Sequence, residues 1–428
     1  MANLDFDIEF VKALQVLDSR GDPTVEVIVV TEGGGVGRGI APAGASRGRF
    51  EAIDLRDGGK AYLGRGVLRA VEAVNKYIAP AIRGMDSSRY RDVDKKIIEI
   101  DGTDNKSRLG GNATTATSLA VINAAADTAD IPLFEFLGGK RARTLPTPLM
   151  NIINGGVHAG NELSIQEFMI VPVGADRFSE ALRIAVEVYK NLRNVLKERY
   201  GSLAINLGDE GGFAPPLRNT EEALKALEDA IKRSGYVLGN DVVLALDAAA
   251  SQFFINGKYR IDGKEISPYE LLDFYLDIVS RYSIVSIEDP FSEDQPKMFR
   301  ELKSKLKGKA IVIGDDLTVT RKDRVDRFFK EGCIDGAIIK INQVGTFSEA
   351  EDVIELLRII GGKAIISHRS GETEDVSIAH IAVAYETGLI KAGAPARGER
   401  VIKYNELLRI EDYLAGDARY LGIKVFSR

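Results

Sequence analysis

The chain has 428 residues, of which 45% are hydrophobic and 28% charged, the composition of an ordinary globular protein with enough apolar mass for a large core. Its net charge of −6 comes from 57 basic and 63 acidic residues spread along the chain. The clustered Lys and Arg that nucleic acid or an anionic membrane would require are missing, so neither partner is expected. A single cysteine, Cys333, excludes an internal disulfide framework, and the opening MANLDFDIEF lacks a signal peptide's charged and apolar regions, so a reducing cytoplasm is the expected location. The longest uncharged stretch, Leu109 to Ala126, is too rich in Gly, Asn, Thr and Ser to span a bilayer.

In chain order, the first ~60 residues alternate apolar and polar positions around turn punctuation, as in Thr24-Val25-Glu26-Val27-Ile28-Val29-Val30 before Gly33-Gly34-Gly35, and predict antiparallel strands. The Gly33–Gly39 cluster lacks the G-x-G-x-x-G spacing and a strand-to-helix setting, and reads as a hairpin turn. From Val67 the apolar positions take helical spacing (Val67, Ala70, Val71, Val74, Ile78), with further helical patterns near 88–99 and 113–128. This opening is α+β, and a boundary is placed between residues 1–137 and 138–428.

Beyond Gly138-Gly139, short apolar runs alternate with helical segments. The runs are Glu167–Val171, Val242–Leu246, Ile284–Ile287, Ala310–Ile313, Ala337–Ile339, Ala364–Ile366 and Gly388–Ile390, with helices such as 178–199, 219–234 and 346–359 between them. Repeated β/α units of this kind predict a parallel α/β architecture, and their number favours a closed barrel. Between Asn151 and Pro216 the regularity fails in Gly-rich and Pro-rich loops.

Parallel barrels carry catalytic groups at the C-terminal ends of their strands, so the residue after each run is informative. The runs end in Asp247, Glu288, Asp315, Lys340, His368 and Lys391. Any one of these is as well explained by a wet loop, but six together point to one mouth. Three carboxylates on consecutive strands, Asp247, Glu288 and Asp315, need a cation between them, and hard oxygen ligands without thiolate or imidazole suit Mg²⁺. Lys340 and Lys391 beside such a cation would have their ammonium forms disfavoured, as a base needs. Ser367-His368-Arg369-Ser370-Gly371-Glu372-Thr373 sets a guanidinium and a hydroxyl before a helical stretch, a phosphate-holding arrangement or simply a capped turn. Glu210, in Gly208-Asp209-Glu210-Gly211-Gly212-Phe213, and Glu167, in Gln166-Glu167-Phe168, are each an acid candidate or an ordinary acidic residue beside a turn.

Taken together, Val157-His158-Ala159-Gly160-Asn161, Gly208–Pro215, Ser286–Phe291, Gly314–Leu317, Lys340-Ile341-Asn342-Gln343 and Ser367–Asp375 resemble the blocks of the enolase family in the family's order. Asp18-Ser19-Arg20-Gly21, Leu55-Arg56-Asp57 and Gly393-Ala394-Pro395-Ala396-Arg397 extend the resemblance over nearly the whole chain. It implies an α/β protein with a C-terminal modified (β/α)8 barrel of the enolase superfamily under an N-terminal α+β capping domain. The implied activity is that of a glycolytic lyase interconverting 2-phosphoglycerate and phosphoenolpyruvate with two Mg²⁺. By motif, Asp247, Glu288 and Asp315 match the ligands of the first ion and Ser46 a ligand of the second. Lys340 matches the base, Glu210 supported by Glu167 the acid. Lys391, Arg369, Ser370, Gln166 and His158 match positions around the substrate's carboxylate and phosphate, with His368 beside the phosphate. The family also implies a homo-oligomer, at least a dimer.

Departures from the family pattern include Arg47 beside Ser46, Ala43, Gln295-Pro296, His380 and Leu14; Arg47 bears on closure of the loop and on the second ion. Two other readings are weaker. A cycloisomerase or acid-sugar dehydratase of the same superfamily would carry a Lys-x-Lys pair where this chain has Gln166-Glu167-Phe168-Met169-Ile170. A non-catalytic binding protein would have no need of the intact set of ionisable residues.

Overall fold

The computed structural model of the chain describes residues 5–45, 48–156 and 159–427. Strands β1 (Ile8–Leu17), β2 (Pro23–Thr31) and β3 (Val36–Ile40) form the expected antiparallel sheet, in sequence order. Val25, Val27 and Val29 of β2 are fully buried, the inward row that the alternation implied. A helical run over residues 68–82 follows, then α1 (Tyr90–Asp101), which stops on left-handed Gly102, and α2 (Gly111–Thr128).

The glycine cluster does more than turn the chain. Only Gly34, at φ +86°, serves the hairpin. Gly35, Gly37 and Gly39 recur at every second position and lie flat against α2, where a Cβ on Gly37 would stand 2.1 Å from the Ala120 carbonyl oxygen and one on Gly39 2.2 Å from that of Ala116. The period of two puts all three on one face of β3, and the missing side chains let strand and helix backbones touch. The uncharged stretch is therefore α2, buried on every side: Ala113, Ala116, Ala120 and Ala124 join the N-terminal core, whereas Leu119, Ile122 and Ala126 join the core around the barrel. Among the described residues no helix is long and apolar enough to cross a membrane.

Eight strands then close a barrel: β4 (Thr147–Asn154), β5 (Glu167–Pro172), β6 (Val242–Asp247), β7 (Ile284–Glu288), β8 (Ile311–Gly314), β9 (Gly336–Ile339), β10 (Lys363–Ser367) and β11 (Leu389–Lys391). Seven match the apolar runs of the sequence; β4, carrying Pro148 and ending in the Gly-rich loop, was not among them. The parallel order read from the β/α alternation breaks at β5, which runs antiparallel to both β4 and β6, as a modified barrel allows. The segment joining β4 to β5 carries no α-helix among its described residues, and without a crossover helix the chain doubles back. The helices α3 (Phe178–Tyr200) and α4 (Thr220–Arg233) both follow β5 instead.

This reversal positions the site, because β5 begins at the mouth where its neighbours end. Its first residue, Glu167, pairs with Asp247, the last of β6, and Asp247 pairs with Glu288, the last of β7. Inside the barrel, Leu149, Met169, Val171, Val243, Ala245, Ile311, Ile313, Ile338, Ile365 and Leu389 fill the apolar core, while residues between them, such as Leu244, Val312 and Ile366, pack outward against the helices. Continuing the inward row by one step of two reaches Glu167, Asp247, Asp315, Lys340, Ser367 and Lys391. β7 joins this level through a register shift between Ile284 and Ser286, which inserts Val285 and turns Glu288 inward with Asp247.

Because a methyl group on Gly37 has no room, Gly37→Ala should lower stability by about 1–3 kcal/mol, read from the midpoint of chemical denaturation. Gly416→Ala, whose Cβ would meet nothing within 4 Å, should leave that midpoint unchanged.

Candidate active site

The top inward level forms the floor of a cleft lined by Gln166, Glu167, Glu210, Asp247, Asp315, Lys340, His368, Arg369, Ser370 and Lys391, with Gly44, Ala45 and Glu51 of the N-terminal region across the mouth. Of the residues singled out in the sequence, Glu288 lies beneath the others, 1% exposed. Ser46 and His158, and Arg47 with them, fall outside the described residues.

The centre is Lys391 at the end of β11, 2% exposed. Its Nζ lies 2.8 Å from Glu288 Oε2, 2.9 Å from Asp247 Oδ2 and 3.1 Å from Glu167 Oε1. Burial disfavours its ammonium, yet the carboxylates of Asp247, Glu167 and Glu288 outweigh burial and hold it well above the ordinary lysine value. The acids around it feel the opposite balance. Burial, and then Glu210, push the Glu167 carboxyl well up, and burial with Asp247 does the same to Glu288, in each case against Lys391.

Lys340, at the end of β9, donates to Asp315 Oδ2. Gln343, in the turn after it, donates to Asp315 Oδ1 at 3.0 Å and is itself held by the Thr320 hydroxyl at 2.6 Å. Burial pulls Lys340 down, but Asp315 more than restores it, so its ammonium is favoured against Arg369 and Lys391. The expectation that neighbouring cations would disfavour the ammonium forms of Lys340 and Lys391 therefore fails at both while carboxylates face them. Asp315 in turn is pushed up by burial and brought below the usual carboxylate range by Lys340.

Glu210 hangs over the cleft from the loop after α3, where Asn151 Nδ2 donates to its Oε2 at 3.0 Å and His368 Nε2 stands 3.7 Å from the same oxygen. The adjoining glycine packs on protein rather than on open space: a Cβ on Gly212 would stand 2.0 Å from Asn154 Oδ1, and the loop is laced to β4 by Phe213 N to Ile152 O at 2.9 Å. Arg369, 6% exposed, donates to Glu51 Oε2 at 3.1 Å and Asn342 Oδ1 at 2.9 Å, and Arg20 donates to Ser370 Oγ at 3.3 Å. Mutual backbone hydrogen bonds of 2.8 Å between Ala43 and Gly371 fasten the N-terminal region onto this loop. Gln166 donates to Asp247 Oδ2 at 3.5 Å and accepts from Gln252 at 3.0 Å.

Sequence reasoning missed Glu51, Asn151, Gln252, Asp289 and Asp316. The last two directly follow Glu288 and Asp315, and an acidic pair closing each strand was the available signal; Glu51, Asn151 and Gln252 carried none. Among the described residues, carboxylate oxygens of Asp289, Asp315 and Asp316 lie within 4.8 Å of one another, a set able to hold a cation. Asp289 is already committed to the backbone, accepting from Asp315 N at 3.0 Å and Asp316 N at 2.6 Å, so it braces the β8 turn. By contrast Glu288 Oε1 and Glu167 Oε2 are buried without a hydrogen-bond partner, and an all-oxygen donor set with orphaned carboxylate atoms fits a hard divalent cation.

A capped, closed barrel whose strand ends gather lysines and carboxylates around one cleft is the architecture of a barrel enzyme acting on a small anion. Sequence comparison agrees: the family model for the enolase N-terminal domain matches residues 8–137 and that for the enolase C-terminal TIM barrel domain matches residues 142–428. The enolase of Aeropyrum pernix is 54% identical over 98% of this chain and 97% of its own length. Those of Methanocaldococcus jannaschii and Pyrococcus furiosus are each 51% identical over 97% of both chains. The chain belongs to the enolase family of carbon–oxygen lyases, and that family implies a divalent metal ion.

Burial and the neighbouring Asp315 push Asp316 from 3.8 up to about 7. An acid whose folded value exceeds its unfolded value favours the folded state at low pH and loses that advantage as pH rises through the window between the two. The metal-free chain should therefore lose stability between about pH 4 and 7. Urea denaturation in chelator checks this, with Asp316→Asn expected to flatten the fall and added divalent cation to restore stability at the upper end.

Proposed function

We propose that this cleft carries out the reversible dehydration of 2-phosphoglycerate to phosphoenolpyruvate, with Lys340 and Glu210 as the proton-transfer pair. The observation that supports the reading best is the convergence of Lys340, Lys391, Glu167 and Glu210 on one buried cleft in a chain of the enolase family. In the dehydration direction, neutral Lys340 Nζ takes the C2 proton and the electron pair passes toward the substrate carboxylate, making it a dianion. The pair then forms the C2–C3 double bond as the C3 hydroxyl departs, protonated by Glu210 to leave as water. Glu167, whose carboxyl is pushed up by burial and Glu210, shares the proton on that side.

The C2 proton is only weakly acidic, so positive charge must be in place where the dianion forms. A Lys or His base working with one or two Mg²⁺ is the general pattern of the enolase superfamily. Lys391 supplies one such charge. Asp247, Glu288 and Asp315 are the residues we assign to a first Mg²⁺ and Ser46 to a second; bound there, the ions offset the charge that develops on the carboxylate. Arg369 and Ser370 hold the phosphate, with His368, His158 and Gln166 completing the pocket. Residues 1–137 act as the cap and residues 138–428 as the catalytic barrel, in a cytoplasmic homo-oligomer of at least two chains.

The test is the ultraviolet absorbance of the enol product when purified protein meets 2-phosphoglycerate and Mg²⁺; silence with and without metal overturns the assignment. Lys340→Ala should abolish exchange of the C2 proton with solvent and lower kcat by about 10²- to 10⁴-fold. Glu210→Gln should keep that exchange while losing dehydration to a similar extent, and the reverse pattern would exchange the two roles.

A further inference from the structure

The largest fully buried side chain among the described residues is Arg400, in the first turn of the helix Gly398–Leu414, 0% exposed. Its guanidinium reaches into the wall of the cleft without lining it. Nη1 donates to His368 Nδ1 and, at 2.6 Å, to the Arg369 carbonyl; Nη2 donates to the Ser370 carbonyl and, at 3.0 Å, to that of Asp209. One fork thus joins the loop holding Glu210 to the loop holding Arg369 and Ser370, and both to the imidazole between them.

The chemistry of the contact fixes the ring's protonation. A guanidinium has donors only and keeps its proton in proteins, so the nitrogen facing it must accept. His368 Nδ1 is that nitrogen. Protonating Nδ1 would set two N–H groups of two cations against each other, so the imidazole is neutral and its proton sits on Nε2, which faces Glu210 Oε2 at 3.7 Å. Burial lowers His368 well below the ordinary histidine value, and Arg400, Lys391 and Lys340 lower it further against the opposing pull of Glu210.

We propose that Arg400 is a positioning residue which holds His368 as the neutral Nε2–H tautomer, so that a fixed N–H dipole rather than an imidazolium faces the acid carboxyl, while tying the acid loop to the phosphate loop. An imidazolium there would favour the ionised form of Glu210 and weaken it as a proton donor; a flipped tautomer would aim a lone pair at its carboxylate. The consequence for catalysis rests on the reading of Glu210 as the acid. The tautomer itself does not, so the two can fail separately.

With only three histidines in the chain, ¹⁵N-histidine labelling gives three ring systems, and His368 is assigned by the signal lost in His368→Asn. In the full-length wild type at neutral pH, long-range ¹⁵N–¹H correlations should show Nε2 protonated and Nδ1 bare. An Nδ1–H ring or an imidazolium overturns the proposal. Arg400→Lys, whose single ammonium cannot span four acceptors, should mix the tautomers and lower kcat for 2-phosphoglycerate by about 10- to 100-fold, with KM changed by less than about threefold. An unaltered tautomer in that variant, or a loss confined to KM, overturns the role of Arg400. Should Arg400→Lys not fold, coupling across the hydrogen bond between Arg400 Nη1 and His368 Nδ1 in the wild type decides: its presence supports the clamp and its absence sinks it. A wild type with the expected tautomer but no activity on 2-phosphoglycerate would refute the proposed reaction alone.

Discussion

The site is organised by one ammonium group held among three carboxylates. Lys391 comes from the last barrel strand, whereas Glu167, Asp247 and Glu288 come from the second, third and fourth. A buried charge of either sign is costly alone, and removing one partner of such a set strands the others in a low dielectric. The strand ends must therefore finish at one height, with each acid facing inward. Closure of the barrel, reversal of β5 and the extra residue in β7 all serve that requirement. Apolar residues below the level make the core and charged ones at the level make the site, so fold and chemistry divide a single inward-facing row.

Much of this was legible in the sequence. Apolar runs ending in Asp247, Glu288, Asp315, Lys340 and Lys391 marked both strands and site, because a period of two on a barrel strand carries the core inward and the next inward residue to the mouth. The helices beginning at 178, 220 and 347 were visible for the same reason, each presenting an apolar stripe to the barrel. The direction of β5 was not legible. Nothing in Glu167–Val171 distinguishes a strand running up from one running down, since a fully buried strand is apolar on both faces either way. The purpose of Gly35, Gly37 and Gly39 was hidden too, as their partner in α2 lies about 80 residues further along the chain.

What could not be read were groups whose role depends on a contact between distant segments. Glu51 reaches Arg369 across the gap between the N-terminal region and the barrel, and Asn151 reaches Glu210 from a neighbouring strand. Arg400 follows a Gly-Glu pair at the start of a helix, where its sequence context suggests a solvated arginine. Only the fold brings four acceptors to it. Local periodicity carries no information about such pairs, because they are set by the packing of loops rather than by the repeat of an element.

The acids at the mouth outnumber the cations that face them. Glu51, Glu167, Glu210, Asp247, Glu288, Asp289, Asp315 and Asp316 stand against Lys340, Lys391 and Arg369, all in or beneath one cleft. Burial forbids so large an excess of negative charge, and the chain can answer it by binding protons or by binding cations. The upward pressure on Glu167, Glu288, Asp289 and Asp316 is the first answer. A divalent ion would be the second, displacing those protons because its charge is greater and hard carboxylate oxygens suit it. The same excess explains why Lys340 is held as an ammonium by Asp315. Occupancy of the carboxylates and the charge state of Lys340 are thus two sides of one electrostatic balance.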